Sequence, residues 1–242
     1  MAAQLKERNH WQSADDAQFN SIGISTDVWL IDLQAPTLIQ PNVLSEQEIQ
    51  RAQRFVSPKR RIGYMVAHTA LRHLLSAYSG LSAKELRFIE GAYGKPILSD
   101  SQVLHFNLSH SEQYALVAVS SCGPVGVDVE DKMRDLPWEI APQVFSKREI
   151  ALMQKLPKQQ LVDVFYEGWC RKEALVKADG RGLNLDLTQL EVIDEDICEL
   201  NMTWSLRRLP EIAGHASALV TPKCATEIRT YRYVNSKFSN SK

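Results

Sequence analysis

The sequence predicts an α+β protein made of two similar α+β halves in one chain, and three observations carry that reading. Its 242 residues suffice for one large domain or two small ones. A capping box opens a short helix in each half, Ser45-x-x-Glu48 and Ser146-x-x-Glu149, each followed by an isoleucine, Ile49 and Ile150. After each box come a longer helical pattern ended by a glycine and then strand patterns, in the same order both times. The halves meet near residues 121–125, which gives units 1–120 and 121–242. Each would have a small core, so the two are expected to pack tightly together.

Taken in order, Val28–Leu33 reads as the first strand and Ser45–Arg54 as a short capped helix. A longer helix is expected over Arg61–Tyr78, from the spacing of Met65, Ala67, Leu71, Leu74 and Leu75, with Ser79-Gly80 as its stop. Leu86–Glu90 and Val103–Leu108 read as strands around the turn Tyr93-Gly94-Lys95-Pro96. Tyr114–Ser120 and Pro124–Glu130 read as further strands. In the second half a helix over Leu161–Ala178 ends at Asp179-Gly180, and strands are expected at Leu190–Ile193, Thr203–Leu209 and Ala216–Val220.

Hydrophobic residues make up 44% and charged residues 24%, with net charge −1. That balance is ordinary for a globular protein and gives no general attraction to nucleic acid or membrane. No apolar run approaches the ~20 residues that span a bilayer. The polar N-terminus lacks a signal peptide's apolar core, so a cytoplasmic protein is expected. Cys122, Cys170, Cys198 and Cys224 show no zinc-ligand spacing and read as reduced thiols.

The chemistry lies in three segments. Val125-Gly126-Val127-Asp128-Val129-Glu130 alternates, so a strand places the valines on one face and Asp128 and Glu130 on the other. Carboxylates two residues apart, ~7 Å between Cα atoms, can converge on one cation. All-oxygen ligands favour Mg²⁺ or Mn²⁺ over zinc. A solvated acidic face would give the same alternation. Gly126 points to a close approach by another backbone or a ligand. In the second long helix Trp169, Glu173 and Lys177 fall on one stripe, with Lys172 ~100° round. Glu173 could complete the cation site, while Lys177 and Lys172 could hold a phosphate. A surface Glu–Lys pair, worth only ~0.3–0.5 kcal/mol, is the plainer reading. His105-Phe106-Asn107-Leu108-Ser109-His110-Ser111 offers short donors suited to phosphate or ribose oxygens, or a simple turn.

Together these segments resemble the larger, pseudo-dimeric, surfactin-type 4′-phosphopantetheinyl transferases. The resemblance rests on Phe106–Ser111, on Gly126–Glu130, and on Trp169-x-x-Lys172-Glu173-Ala-x-x-Lys177 with Gly180-x-Gly182-Leu183, and Tyr93–Pro96 adds a shorter block. It covers about residues 28–210. It implies a pseudo-twofold dimer within one chain, with the active site at the interface of the halves, and hence a monomer. It further implies transfer of the 4′-phosphopantetheine arm of coenzyme A to a serine of an apo acyl or peptidyl carrier protein, releasing adenosine 3′,5′-bisphosphate. By the same resemblance Asp128, Glu130 and Glu173 are the Mg²⁺ ligands, and Lys177 contacts the coenzyme A phosphates. Lys95, Ser109 and His110 hold the nucleotide end, and Arg51 falls near a basic position for the 3′-phosphate. Many members carry an arginine whose counterpart here, counting back from Arg72, is Gly63, with Arg60 and Arg61 just upstream.

In that reaction a serine hydroxyl attacks the β-phosphorus of a pyrophosphate, so charge neutralisation is the main requirement. Glu173 or a metal-bound water is the candidate base. Carriers of this type are acidic helical bundles, which makes Lys147, Arg148 and Lys155 candidate contacts. Two other readings fit an Asp-x-Glu pair with a lysine: a metal-dependent phosphodiesterase, and a non-catalytic coenzyme A- or carrier-binding module.

Overall fold

The computed structural model describes residues 10–17, 19, 25–91, 93–99, 104–182, 185–193 and 204–234. The N-terminal lead-in over 1–9, Cys198, Leu183, and the expected strand starts Val103 and Thr203 lie outside the described residues.

Two sheets stack face to face between two long helices, and strand alternation explains why. In order, the main elements are strand β1 (Ser25–Asp32), helices α1 (Glu46–Gln53) and α2 (Pro58–Ser79), and strands β2 (Phe88–Glu90) and β3 (Pro96–Leu98). Next come β4 (His105–His110), β5 (Tyr114–Ser120) and β6 (Gly126–Asp131), then α3 (Ala141–Val144), α4 (Lys147–Met153) and α5 (Lys158–Asp179). Strands β7 (Trp204–Arg207), β8 (His215–Pro222) and β9 (Glu227–Arg232) follow. One sheet has the order β4-β5-β1-β9 and another β6-β8-β7, while β2 and β3 form a separate hairpin. Trp29 and Ile31 of β1 pack with Ala115, Val117 and Val119 of β5 against α2. Their neighbours Val28, Leu30, Leu116 and Ala118 face the other way and meet Val127, Val129 and Leu219 of the second sheet. The far face of that sheet, through Leu206, Ala218 and Val220, packs on Phe165, Cys170 and Ala174 of α5.

Strand β9 crosses the expected boundary between the halves. It pairs parallel with β1, and Arg229 donates to buried Asp27 at 2.6 and 3.0 Å. The C-terminal end of the described chain therefore completes the first sheet.

Several features recur about 100 residues apart, as the sequence order suggested. Helices α2 and α5 each have 22 residues and end at a glycine in the left-handed conformation, Gly80 and Gly180. Both capping boxes form. Each capping glutamate is buried on a cation of the following long helix: Arg72 reaches Glu48 at 2.7 Å and Lys172 reaches Glu149 at 2.6 Å. Those cations also donate to carbonyls beyond the helix, Ala83 and Leu86 in one case, Leu187 and Leu190 in the other.

The strand expected at Leu190–Ile193 is absent. That backbone is engaged by side chains instead of a neighbouring strand. Lys172 takes the Leu190 carbonyl, Arg171 takes those of Val192 and Ile193, and Glu149 accepts from the Val192 N–H. Helix α2 begins earlier than its apolar spacing indicated, because Ser57 caps it and Pro58 occupies its first turn.

Candidate active site

The site begins with a missing side chain. Gly126, Asp128 and Glu130 share the face of β6 that looks onto α5. A Cβ at Gly126 would lie 1.9 Å from the Ala174 carbonyl oxygen and 2.4 Å from the Ala178 nitrogen. Only glycine lets α5 cross so close, and the close crossing sets Glu173 and Lys177 opposite the two carboxylates of the strand. Val125, Val127 and Val129 are fully buried on the opposite face, against the other sheet. A solvated acidic strand is thereby excluded.

Asp128 is 2% exposed. Its Oδ1 accepts from Ser109 Oγ at 2.7 Å and from Lys177 Nζ at 2.5 Å, and Lys177 also donates to Ser109 Oγ at 2.9 Å. Its Oδ2 is buried and accepts no hydrogen bond of good geometry among the described residues, with the Cys170 thiol, whose pKa burial and then Asp128 raise, close by. Ser109 lies on β4, the edge strand of the first sheet, and Asp128 on β6, the edge strand of the second. Asn107 makes the same crossing two residues earlier, its Oδ1 accepting from the Val127 N–H at 2.8 Å. The segment read as a donor-rich turn is thus a strand whose alternate polar side chains join the two sheets.

The neighbouring carboxyls are uneasy as anions. Burial, then the Asp128 charge, pushes Glu130 up to about 7, against the pull of Arg134 and Lys177. Burial and Asp128 likewise raise Glu173, opposed by Lys177. Among the described residues no three acidic, imidazole or thiol groups already converge at metal-binding distances. Lys177 supplies the positive charge at Asp128. The donor set nonetheless fits a hard divalent cation. It is all oxygen, one buried oxygen accepts no hydrogen bond of good geometry, and a cation would relieve the penalty on Glu130 and Glu173.

Beyond Lys177 the site continues as a line of basic and aromatic groups. His110 is open to solvent, and its pKa is lowered by partial burial and by the His68 and Lys177 charges. His68 pairs with Glu48 at 3.1 Å and lies against Tyr64, ring centroids 4.0 Å apart. The exposed Arg51 guanidinium stands 5.8 Å over that Tyr64 ring. Sequence reasoning missed His68 and Tyr64, which look like ordinary helical residues until α1 and α2 are set side by side. Gly63 is buried against Leu33, Arg61 donates to the Phe55 carbonyl, and Arg60 is exposed.

One expected ligand contact is corrected, and a second lysine is engaged within the ligand-free fold. Lys172 does not face the cleft. Its ammonium is fully buried and donates to Glu149 and to the Leu187 and Leu190 carbonyls, so it ties α5 to α4 and the chain after it. Lys95 is engaged as well, with the carbonyls of Val125, Lys177 and Ala178 at 3.0, 2.5 and 3.4 Å. Burial lowers its pKa to about 8. It closes the C-terminus of α5 against the start of β6.

A helix-borne carboxylate and lysine thus face an acidic strand beside the edge where the two sheets are joined, and comparison with known proteins gives the class. Residues 124–220 match the family model described as the 4′-phosphopantetheinyl transferase superfamily. Residues 34–122 match the model of the 4′-phosphopantetheinyl transferase N-terminal region. The chain belongs to this superfamily, to its Sfp-type class, and is a transferase. It is 32% identical to the 4′-phosphopantetheinyl transferase Sfp of Bacillus subtilis over 161 residues, covering 62% of this chain and 71% of that protein. To the 4′-phosphopantetheinyl transferase HetI of Nostoc it is 33% identical over 192 residues, 75% of this chain and 81% of the other. The mouse L-aminoadipate-semialdehyde dehydrogenase-phosphopantetheinyl transferase shares 25% identity over 190 residues, 74% and 60% of the two chains.

Proposed function

We propose that the protein transfers 4′-phosphopantetheine from coenzyme A to a serine hydroxyl of an apo acyl or peptidyl carrier protein, at a cleft between two pseudo-twofold halves. The observation that carries this reading is the buried Asp128 Oδ2, which accepts no hydrogen bond of good geometry, beside two carboxyls whose anionic forms are disfavoured. Asp128, Glu130 and Glu173 would hold Mg²⁺ or Mn²⁺, which when bound supplies charge neutralisation for the pyrophosphate.

The chain's own groups account for the rest. The Lys177 ammonium is 27% exposed and pairs with Asp128. It lies where it can follow negative charge developing on the departing phosphate. Ser109 fixes the Asp128 carboxylate through a hydrogen bond and so acts by positioning. Glu173 or a metal-bound water would accept the serine proton, and a cation held by Glu173 would lower its pKa and favour the water. His110 and Arg51 would meet the nucleotide 3′-phosphate at the basic end of the cleft, and that remote binding would orient the reacting phosphorus. Lys147 and Lys155 are exposed, and Arg148 pairs with Glu191, so an acidic carrier would find two unobstructed ammonium groups there.

The recurring buried Glu–cation pairs support the twofold relation, and a protein that carries both halves in one chain would act as a monomer. No helix among the described residues is long and apolar enough to cross a membrane. Incubation with coenzyme A, Mg²⁺ and a panel of apo carriers should add roughly 340 Da, the mass of the arm, to at least one carrier. Chelation of the metal should stop the reaction. Unchanged masses across the panel, or release of adenosine 3′,5′-bisphosphate without any carrier, would reject the reading.

A further inference from the structure

Two cysteines far apart in sequence meet at a point where the two sheets are joined. Cys122 lies in the connection from β5 to β6, and Cys224 lies in the turn from β8 to β9. These are places where the chain passes from one sheet to the other. The Cys224 thiol donates to the Cys122 carbonyl at 3.3 Å, across 102 residues of chain. The two thiols are close enough that Cys224 adds to burial in raising the Cys122 pKa. Cys224 is exposed and Cys122 is partly exposed, so both can be reached from solvent. Neither belongs to the cleft described above. Gly123, at φ 148°, and Pro222 pack between the same two segments, Pro222 Cγ standing 3.2 Å from where a Gly123 Cβ would be. The two backbones are thus held side by side whatever the thiols do.

We propose that Cys122 and Cys224 form a reversible disulfide site, closed by exchange with a low-molecular-weight disulfide such as oxidised glutathione. The exposed Cys224 thiolate attacks one sulfur of that disulfide and expels one thiol, leaving a mixed disulfide on Cys224. The Cys122 thiolate then attacks Cys224 Sγ and expels the second thiol. The two protein thiols are oxidised, the external disulfide is reduced to two thiols, and the two protein thiol protons end, by way of water, on those expelled thiols. Burial, then the neighbouring Cys224 thiol, pushes the Cys122 thiol up to about 11. Cys224, the more exposed thiol, is the one an external disulfide meets first, and Cys122 then resolves the adduct.

The closed ring spans everything from β6 to β8, including Asp128, Glu130, Glu173 and Lys177. A cross-link of this length removes unfolded-state entropy while the reacting carboxylates stay in place.

The full-length protein is titrated with defined ratios of reduced to oxidised glutathione, alkylated, and analysed by intact mass and peptide mapping. The expected product has lost about two mass units, the two thiol hydrogens, and maps as a Cys122–Cys224 cross-link. Its melting temperature should rise by at least about 5 °C over the reduced form. Cys122→Ser and Cys224→Ser should each abolish the cross-link and the rise, and Cys122→Ser should stop at the glutathione adduct of Cys224. The proposal is overturned if wild-type protein accumulates only the glutathione adduct, if the mapped disulfide joins other cysteines, or if both thiols stay alkylatable at every ratio.

Discussion

Gly126→Ala puts the smallest side chain where the structure has no room for one. The added Cβ would stand 1.9 Å from the Ala174 carbonyl oxygen and 2.4 Å from the Ala178 nitrogen. Non-bonded heavy atoms settle at about 3.5 Å, so β6 and α5 must separate by about 1.5 Å. Both obstacles are backbone atoms of a continuous helix, so no rotamer change relieves the contact. Overpacking costs about 1–3 kcal/mol, and a clash with backbone belongs at the upper end. In a chain of this size about 3 kcal/mol lowers the melting temperature by about 6–12 °C. The larger effect falls on chemistry, because the separation moves Asp128 and Glu130 away from Glu173 and Lys177 together. A misplacement of about 1 Å costs about 100-fold. Arm transfer to a carrier, followed by mass beside a thermal melt, should show kcat/KM down at least about 100-fold in protein that is still folded at assay temperature. A variant with wild-type melting temperature and a rate within about twofold of wild type would refute the claim that Gly126 sets the distance between strand and helix.

Three further outcomes follow from the same geometry. Glu130 in the ligand-free fold titrates at about 7 against an ordinary 4.5. Its folded pKa lies above its unfolded one, so the charge costs stability as pH rises from about 4.5 to about 7. The upper bound is about 3 kcal/mol, and about 1–2 kcal/mol after allowing for solvent at the carboxylate. Urea unfolding should find Glu130→Gln more stable than wild type at pH 8 and equal to it near pH 4.5, and a difference independent of pH would contradict this. Lys172→Met leaves Glu149 buried and unpaired, so it should cost about 3–5 kcal/mol while Mn²⁺ affinity and the KM for coenzyme A stay near wild type. A stable variant with a weakened KM would return Lys172 to the ligand site. Ser109→Ala frees one side of the Asp128 carboxylate and should weaken Mn²⁺ binding several-fold by calorimetry, with little change in melting temperature. Unaltered Mn²⁺ affinity would remove its positioning role.

How much of this was legible in the sequence depended on whether a pattern was local. The capping serines, the glycine stops and the valine–carboxylate alternation are set within a few residues, and the structure reproduces them. The glycine at position 126 announced a close approach, and the approaching backbone proved to be α5. Lys172 serves the fold and Lys95 is engaged within it, and neither partner set is visible in the sequence, for one shared reason. A lysine on a promising stripe looks the same in sequence whether its ammonium meets a ligand or a ring of carbonyls supplied by distant chain. The strand expected at Leu190–Ile193 failed for the complementary reason, since Arg171, Lys172 and Glu149 take up that backbone. The place of β9 beside β1 was beyond local pattern, because parallel pairing across 202 residues is fixed by the buried Asp27–Arg229 contact.

The central claim is that Asp128, Glu130 and Glu173 together make one cation-dependent transfer site. It is tested most directly by the mass of an apo carrier after incubation with coenzyme A and Mg²⁺, using wild-type protein beside Asp128→Ala and Glu173→Gln. Wild type should give a gain of roughly 340 Da and neither variant any in the same time, with all three proteins folded by thermal melt. A full mass gain with folded Asp128→Ala would contradict the claim.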